Sequence, residues 1–141
     1  MIQRKQSIWL LLASACAFLS IKFPFYSGNV QDANGTTKSF MYLTAQQPSL
    51  LILMTTIAIA LSSIALIFLY KSRPKQLLLS IGLLMISIVN LILYFIQTKQ
   101  FIDGTYSLGA ILTVIIPVLI CLAALGIYKD EKLVKSVDRL R

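Results

Sequence analysis

Ser80, Ser87, Asn90, Tyr94 and Gln97 fall within Gln76 to Thr98, a stretch without a single charged residue. Their spacings of seven, three, four and three residues put all five on one face of a helix. Polar groups aligned inside an apolar helix have two uses. They can line a route or site for a neutral solute, or they can hydrogen-bond across to neighbouring helices at about 0.5–1.5 kcal/mol each. A proton or ion path usually adds an ionisable group, because a charge in hydrocarbon is costly enough to be kept only for function. None lies on this face, so hydrogen bonding between helices is the expected role.

The second concentration of chemistry is the end of the chain, KDEKLVKSVDRLR. Lys129, Asp130, Glu131, Lys132, Lys135, Asp138, Arg139 and Arg141 are charged, eight residues in thirteen. At about 100° per residue, Leu133, Val134, Val137 and Leu140 share one arc and Lys129, Lys132, Lys135 and Arg139 the opposite one. Glu131 and Lys135 stand in the favourable order for an i,i+4 pair. The expectation is a short amphipathic cytoplasmic helix, continuing from the last apolar stretch, that contacts lipid headgroups or a partner. A headgroup anchor needs only cations, at about 1 kcal/mol each near an anionic surface. The interspersed Asp130, Glu131 and Asp138 suit a docking surface better than an anchor, and both readings stand.

Catalytic chemistry finds little material. The chain has no histidine, the commonest general base and metal ligand. Its acids are Asp32, Asp103, Asp130, Glu131 and Asp138, with no pair spaced for acid/base work. Cys16 and Cys121 are single residues on separate segments, more suited to packing than to redox work, and no C-x-x-C or phosphate-binding loop occurs. No catalytic residue, cofactor or metal is expected.

The elements that must position these groups are set by composition. In 141 residues, 57% are hydrophobic, and the mean hydropathy is +0.82, well beyond a soluble domain. Ser39 to Tyr70, Gln76 to Thr98 and Gly104 to Tyr128 are each long enough to cross hydrocarbon, which takes about 20 residues. Ser7 to Ile21 is a shorter apolar run. LLASAC, ending at Cys16, faintly resembles a lipoprotein cleavage site. Apolar character nevertheless continues through Phe18 to Tyr26, as in a retained helix, with Lys22 snorkelling outward and Pro24 in the last turn. The expected fold is an all-α integral membrane protein, an antiparallel four-transmembrane-helix bundle. Its parts are spans at 7–26, 49–70, 77–98 and 108–128, exterior loops at 27–48 and 99–107, a cytoplasmic turn at 71–76 and a tail at 129–141.

Thirteen cations stand against five acids, a net charge of +8. With four spans, every cation except Lys22, Lys38 and Lys99 falls on one side, which makes both termini cytoplasmic. The basic excess is thus a topology signal, scattered over three segments without the groove or aromatic-interleaved patch of a nucleic-acid binder. Asn34-Gly35 is the dipeptide of a tight hairpin turn, so 27–48 is either a small exterior hairpin or an irregular loop, and Tyr42 can anchor at the bilayer surface. Small residues form stripes at Ala13, Ala17 and Ser20, at Thr55, Ala58, Ser62 and Ala65, and at Gly109, Thr113, Pro117, Cys121 and Ala124. Such stripes let helix backbones approach in lipid and are read as packing seams. Pro117 should kink its helix.

At its two ends the chain resembles a known family. MIQRKQSIWLLLA at the start, the Phe23-Pro24 pair and KDEKLVKSVDRLR at the close are similar to domain-of-unknown-function family 4293. That resemblance implies a small four-span inner-membrane protein of Bacteroidota, without an assigned activity or site. The expected function is a non-enzymatic accessory or scaffold subunit of a larger bacterial inner-membrane complex. Its partners would be the lipid bilayer and another membrane protein or further copies of itself. The alternative is a small transporter or channel for a neutral or apolar solute.

Overall fold

The computed structural model describes residues 3–31, 37–46, 49–69 and 73–138. Their order is α1 (Gln3–Lys22), β1 (Tyr26–Gln31), β2 (Thr37–Leu43), α2 (Leu50–Phe68), α3 (Arg73–Thr98), β3 (Phe101–Tyr106) and α4 (Leu108–Asp138). Three helices, Leu50–Phe68, Pro74–Thr98 and Leu108–Leu133, are long and apolar enough to cross a membrane, and Gln6–Lys22 is a shorter apolar helix. Their outward faces carry large apolar side chains such as Leu11, Phe18, Met54, Phe68, Leu78, Met85 and Ile111, all exposed. Apolar surface on that scale fits a hydrocarbon solvent.

The helices pack side by side in the cyclic order α1, α2, α3, α4. Leu10, Ala13 and Ala17 of α1 meet Ile59, Ala60 and Leu66 of α2, Leu83 of α3 and Ile116, Ile120 and Ala123 of α4 in one buried cluster. Ala13, Ala17 and Ser20 do form the seam on α1, each almost wholly buried. On α2 the expected seam is corrected. Ala58, Ser62 and Ala65 are exposed, and Ile52, Thr56, Ile59, Ala60, Ser63 and Leu66 face inward. Thr56, Ala60 and Ser63 are a second small-residue stripe, interleaved with large apolar groups that fill the core, so the same face gives both close approach and burial.

Two boundaries differ from those expected. Pro24 forces Phe23 away from helical geometry, so α1 ends at Lys22 and Pro24 lies outside it. Pro74 sits in the first turn of α3, where its missing N–H breaks no bond, so the helix begins at Arg73 and not after Gln76. The Gln76 amide then donates to the Leu66 carbonyl at 2.9 Å, a second donor beside the Leu69 N–H at the end of α2. As expected, the tail continues the last helix: α4 runs without interruption from Leu108 to Asp138 with Pro117 inside it.

The all-α expectation needs its own correction. β1 and β2 form an antiparallel hairpin, and its Asn34-Gly35 turn lies outside the described residues. The 99–107 segment, expected to be a plain loop, supplies β3, which pairs antiparallel with the other edge of β1. The sheet order is therefore β2-β1-β3. β1 and β3 come this close because Gly28 faces Gly104, and a Cβ at Gly28 would overlap the Asp103 carbonyl oxygen. The ring of Tyr26 lies over Gly104 and packs edge-on against Phe101 and Tyr106, with centroids 5.3 and 5.0 Å away.

The sheet is fastened to the helices by backbone hydrogen bonds. The Phe25 N–H donates to Leu43 O at 2.7 Å, and the N–H groups of Ser107 and Gly109 donate to Phe25 O and Pro24 O at 3.1 and 3.0 Å. Two carbonyls after α1 thus take up donors at the start of α4.

Candidate functional site

The polar face of α3 turns inward. Ser80, Ser87, Asn90 and Tyr94 are all buried, and Gln97 is half-buried. Ser80 and Ser87 donate to carbonyls of their own helix, Leu77 O at 2.8 Å and Leu84 O at 2.7 Å. Asn90 bridges to α2. Its Oδ1 accepts from the Thr55 hydroxyl at 2.8 Å, and its Nδ2 donates to Thr56 Oγ1 at 3.2 Å. Thr56 in turn donates to Ile52 O at 2.7 Å, so its oxygen both gives and receives. The Thr55 hydroxyl also lies 2.9 and 3.0 Å from Leu51 O and Ile52 O, so one proton is shared among three acceptors.

Above this bridge Tyr94 stacks on Phe25, with centroids 4.6 Å apart and planes 21° from parallel. Phe25, Leu43, Ala45, Ile52, Tyr94 and Ala110 form a second buried cluster under the sheet. The Tyr94 hydroxyl and Gln97 Oε1, one helical turn apart, are buried without a hydrogen-bond partner among the described residues. Thr56 lies beside that hydroxyl, outside hydrogen-bond geometry.

The charged tail divides. Lys129 and Lys132 are exposed and Glu131 is half-buried, but Asp130 is only 6% exposed. Its Oδ2 accepts a hydrogen bond from the Gln6 amide of α1, across 124 residues of sequence. Gly126, one turn before Asp130, makes this possible. A Cβ there would stand 2.9 Å from Gln6 Cγ, so the glutamine stem lies directly on the glycine. Lys135 and Asp138 are on α4 with side chains outside the described set, and Arg139 and Arg141 lie outside the described residues altogether. Among the described residues, no three His, Cys, Asp or Glu side chains are grouped to hold a metal, and Cys16 and Cys121 are free thiols.

The sequence spacing marks the α3 face but not its partners. It puts Thr55 on a packing stripe and gives Thr56 no role, although two adjacent threonines inside an apolar stretch are a signal for such a bridge. Nothing in the sequence singles out Gln6.

A family model described as Domain of unknown function (DUF4293) matches residues 2–140. The chain belongs to the DUF4293 family. No curated protein matches it, and no solved structure matches it. In this DUF4293 member, the stretches that carry the resemblance meet one another or the start of α4. MIQRKQ reaches KDEKL through Gln6 and Asp130, and Phe23-Pro24 rests on Gly109.

Proposed function

We propose that the chain is a four-span inner-membrane protein with both termini cytoplasmic, and that it acts without catalysis as an accessory or scaffold subunit. The observation that carries this reading is the length of α4. Its 31 residues extend about 46 Å at about 1.5 Å per residue, against about 30 Å of hydrocarbon. An interfacial anchor lies in the membrane plane. A tail that continues the helix of its span past the hydrocarbon projects away from that plane and presents Lys129, Lys132 and Leu133, all exposed, to a partner. The Gln6 to Asp130 contact braces the base of this projection.

The test is truncation after Glu131, which keeps Asp130. Insertion rests on the apolar spans and on Arg4, Lys5, Lys71, Arg73 and Lys75, so the shortened chain should remain in the membrane fraction. It should lose the proteins that co-purify with the full chain in mild detergent. A truncated chain that inserts, keeps every partner and supports wild-type growth would overturn the docking role.

The second reading, a path for a neutral solute, is favoured by the adjacent unpaired Tyr94 hydroxyl and Gln97 oxygen. Asn90→Leu separates the two. It removes the bridge to Thr55 and Thr56, at a cost of about 0.5–1.5 kcal/mol. A scaffold should keep its partners with a slightly lower unfolding temperature. A path should lose flux in reconstituted vesicles.

A further inference from the structure

Between the C-terminal half of α2 and the N-terminal half of α3 runs a groove of about 310 Å³, within the usual ligand-pocket range of about 300–1,000 Å³. Leu66 of α2 and Leu83 of α3, both buried, lie deepest in it, and Ser62, Ala65 and Gly82, small and exposed, leave it open outwards. A Cβ built at Gly82 meets nothing within 4 Å, so the opening is unfilled by the protein itself. The lining is almost wholly apolar, and Leu78 and Leu79 on its rim are exposed. Lys75 precedes these two leucines by three and four residues, and Gly82 follows in the same register. Lys75 therefore stands on the stripe that lines the groove, and helix geometry tilts its side chain towards the start of α3. Lys75 is exposed, and the segment from Lys71 to Lys75 carries three cations and no acid.

We propose that this groove holds one acyl chain of an anionic phospholipid, whose headgroup phosphate is met by Lys75 at the start of α3. An apolar trough one turn from a cation matches the two parts of such a lipid in the order in which a bilayer presents them. A second copy fits less well. Two copies inserted in the same direction and packed along this groove would bring their basic turns to the same depth, and like charges repel. The proposal rests on the membrane-spanning reading, which is checked separately by whether the chain resists carbonate extraction from membranes.

Lipid retention can be read by native mass spectrometry of the full chain in detergent with added dioleoyl phosphatidylglycerol or dioleoyl phosphatidylcholine. The wild-type protein should keep one phosphatidylglycerol and favour it over phosphatidylcholine by about fivefold, the effect of one lysine near an anionic headgroup. Lys75→Gln should level the two lipids. Gly82→Leu fills the trough and should abolish retention of either lipid while leaving the helical circular dichroism unchanged. Equal binding of both lipids by the wild-type protein, or unchanged retention in Gly82→Leu, would overturn the proposal. So would a wild-type dimer that Gly82→Leu converts to a monomer, since the occupant would then be a second copy.

Discussion

Gly109→Ala should lower the stability of the protein by about 2–4 kcal/mol, seen as an earlier thermal unfolding midpoint by circular dichroism in detergent. A Cβ at this position would overlap the carbonyl oxygens of Phe23 and Pro24 and stand 2.7 Å from the Pro24 carbonyl carbon. Every one of these atoms is backbone, so relief requires moving the segment after α1 away from the start of α4. Overpacking of this kind costs about 1–3 kcal/mol. The displacement also breaks the Gly109 hydrogen bond to Pro24 O, worth about another 1 kcal/mol. Gly82→Ala is the matched control. It is also a helical glycine, but its Cβ meets nothing, and the change should be neutral or stabilising by at most about 1 kcal/mol. Equal effects at the two sites would remove the contact with Phe23-Pro24 as the reason for Gly109.

The Gln6 and Asp130 pair should show a coupling energy of about 1.5–3 kcal/mol in a double-mutant cycle of Gln6→Ala and Asp130→Ala, the range for a buried hydrogen bond to a charged group. Either single change leaves the other side chain buried at the contact between α1 and α4 without this hydrogen bond. Strictly additive losses would mean that the contact contributes nothing to folding. Truncation after Glu131 should leave the coupling intact, whereas truncation after Lys129 should abolish it. The same cycle thus separates the part of the tail that holds the fold from the part proposed to reach a partner.

What the sequence disclosed follows from the kind of physics involved. Apolar length is summed over many residues, which is why α2, α3 and α4 are legible within a few positions. The inward face of α3 was legible too, because Ser80, Ser87, Asn90 and Tyr94 contrast sharply with the apolar residues around them. On α2 there was no such contrast. Ala58, Ser62 and Ala65 recur as regularly as Thr56, Ala60 and Ser63, and only three-dimensional packing decides which stripe is covered. β3 was hidden for a different reason. FIDGTY does not alternate as a half-buried strand does, since Ile102 to Tyr106 are exposed. Its pairing depends on Gly28, a residue far away in sequence. The Gln6 contact depends on Gly126 in the same way, as room left by an absent side chain.

The position of β1 at the centre of the sheet has a consequence in time. A chain made from its N-terminus has β1 and β2 in hand once Leu43 has emerged, and the hairpin can close at once. β3 begins only at Phe101, and translation at about 5–20 residues per second leaves an interval of about 3–12 seconds. Throughout it, the second edge of β1 has no strand to pair with, while α2 and α3 are still being made. An open strand edge is a template for pairing with any other chain. Gly28, on that edge, cannot guard it with a side chain. The arrival of β3 closes the edge and draws the start of α4 onto Pro24 and Phe25. The newborn protein is therefore most vulnerable to wrong pairing midway through its synthesis, and least so once its last helix is under way.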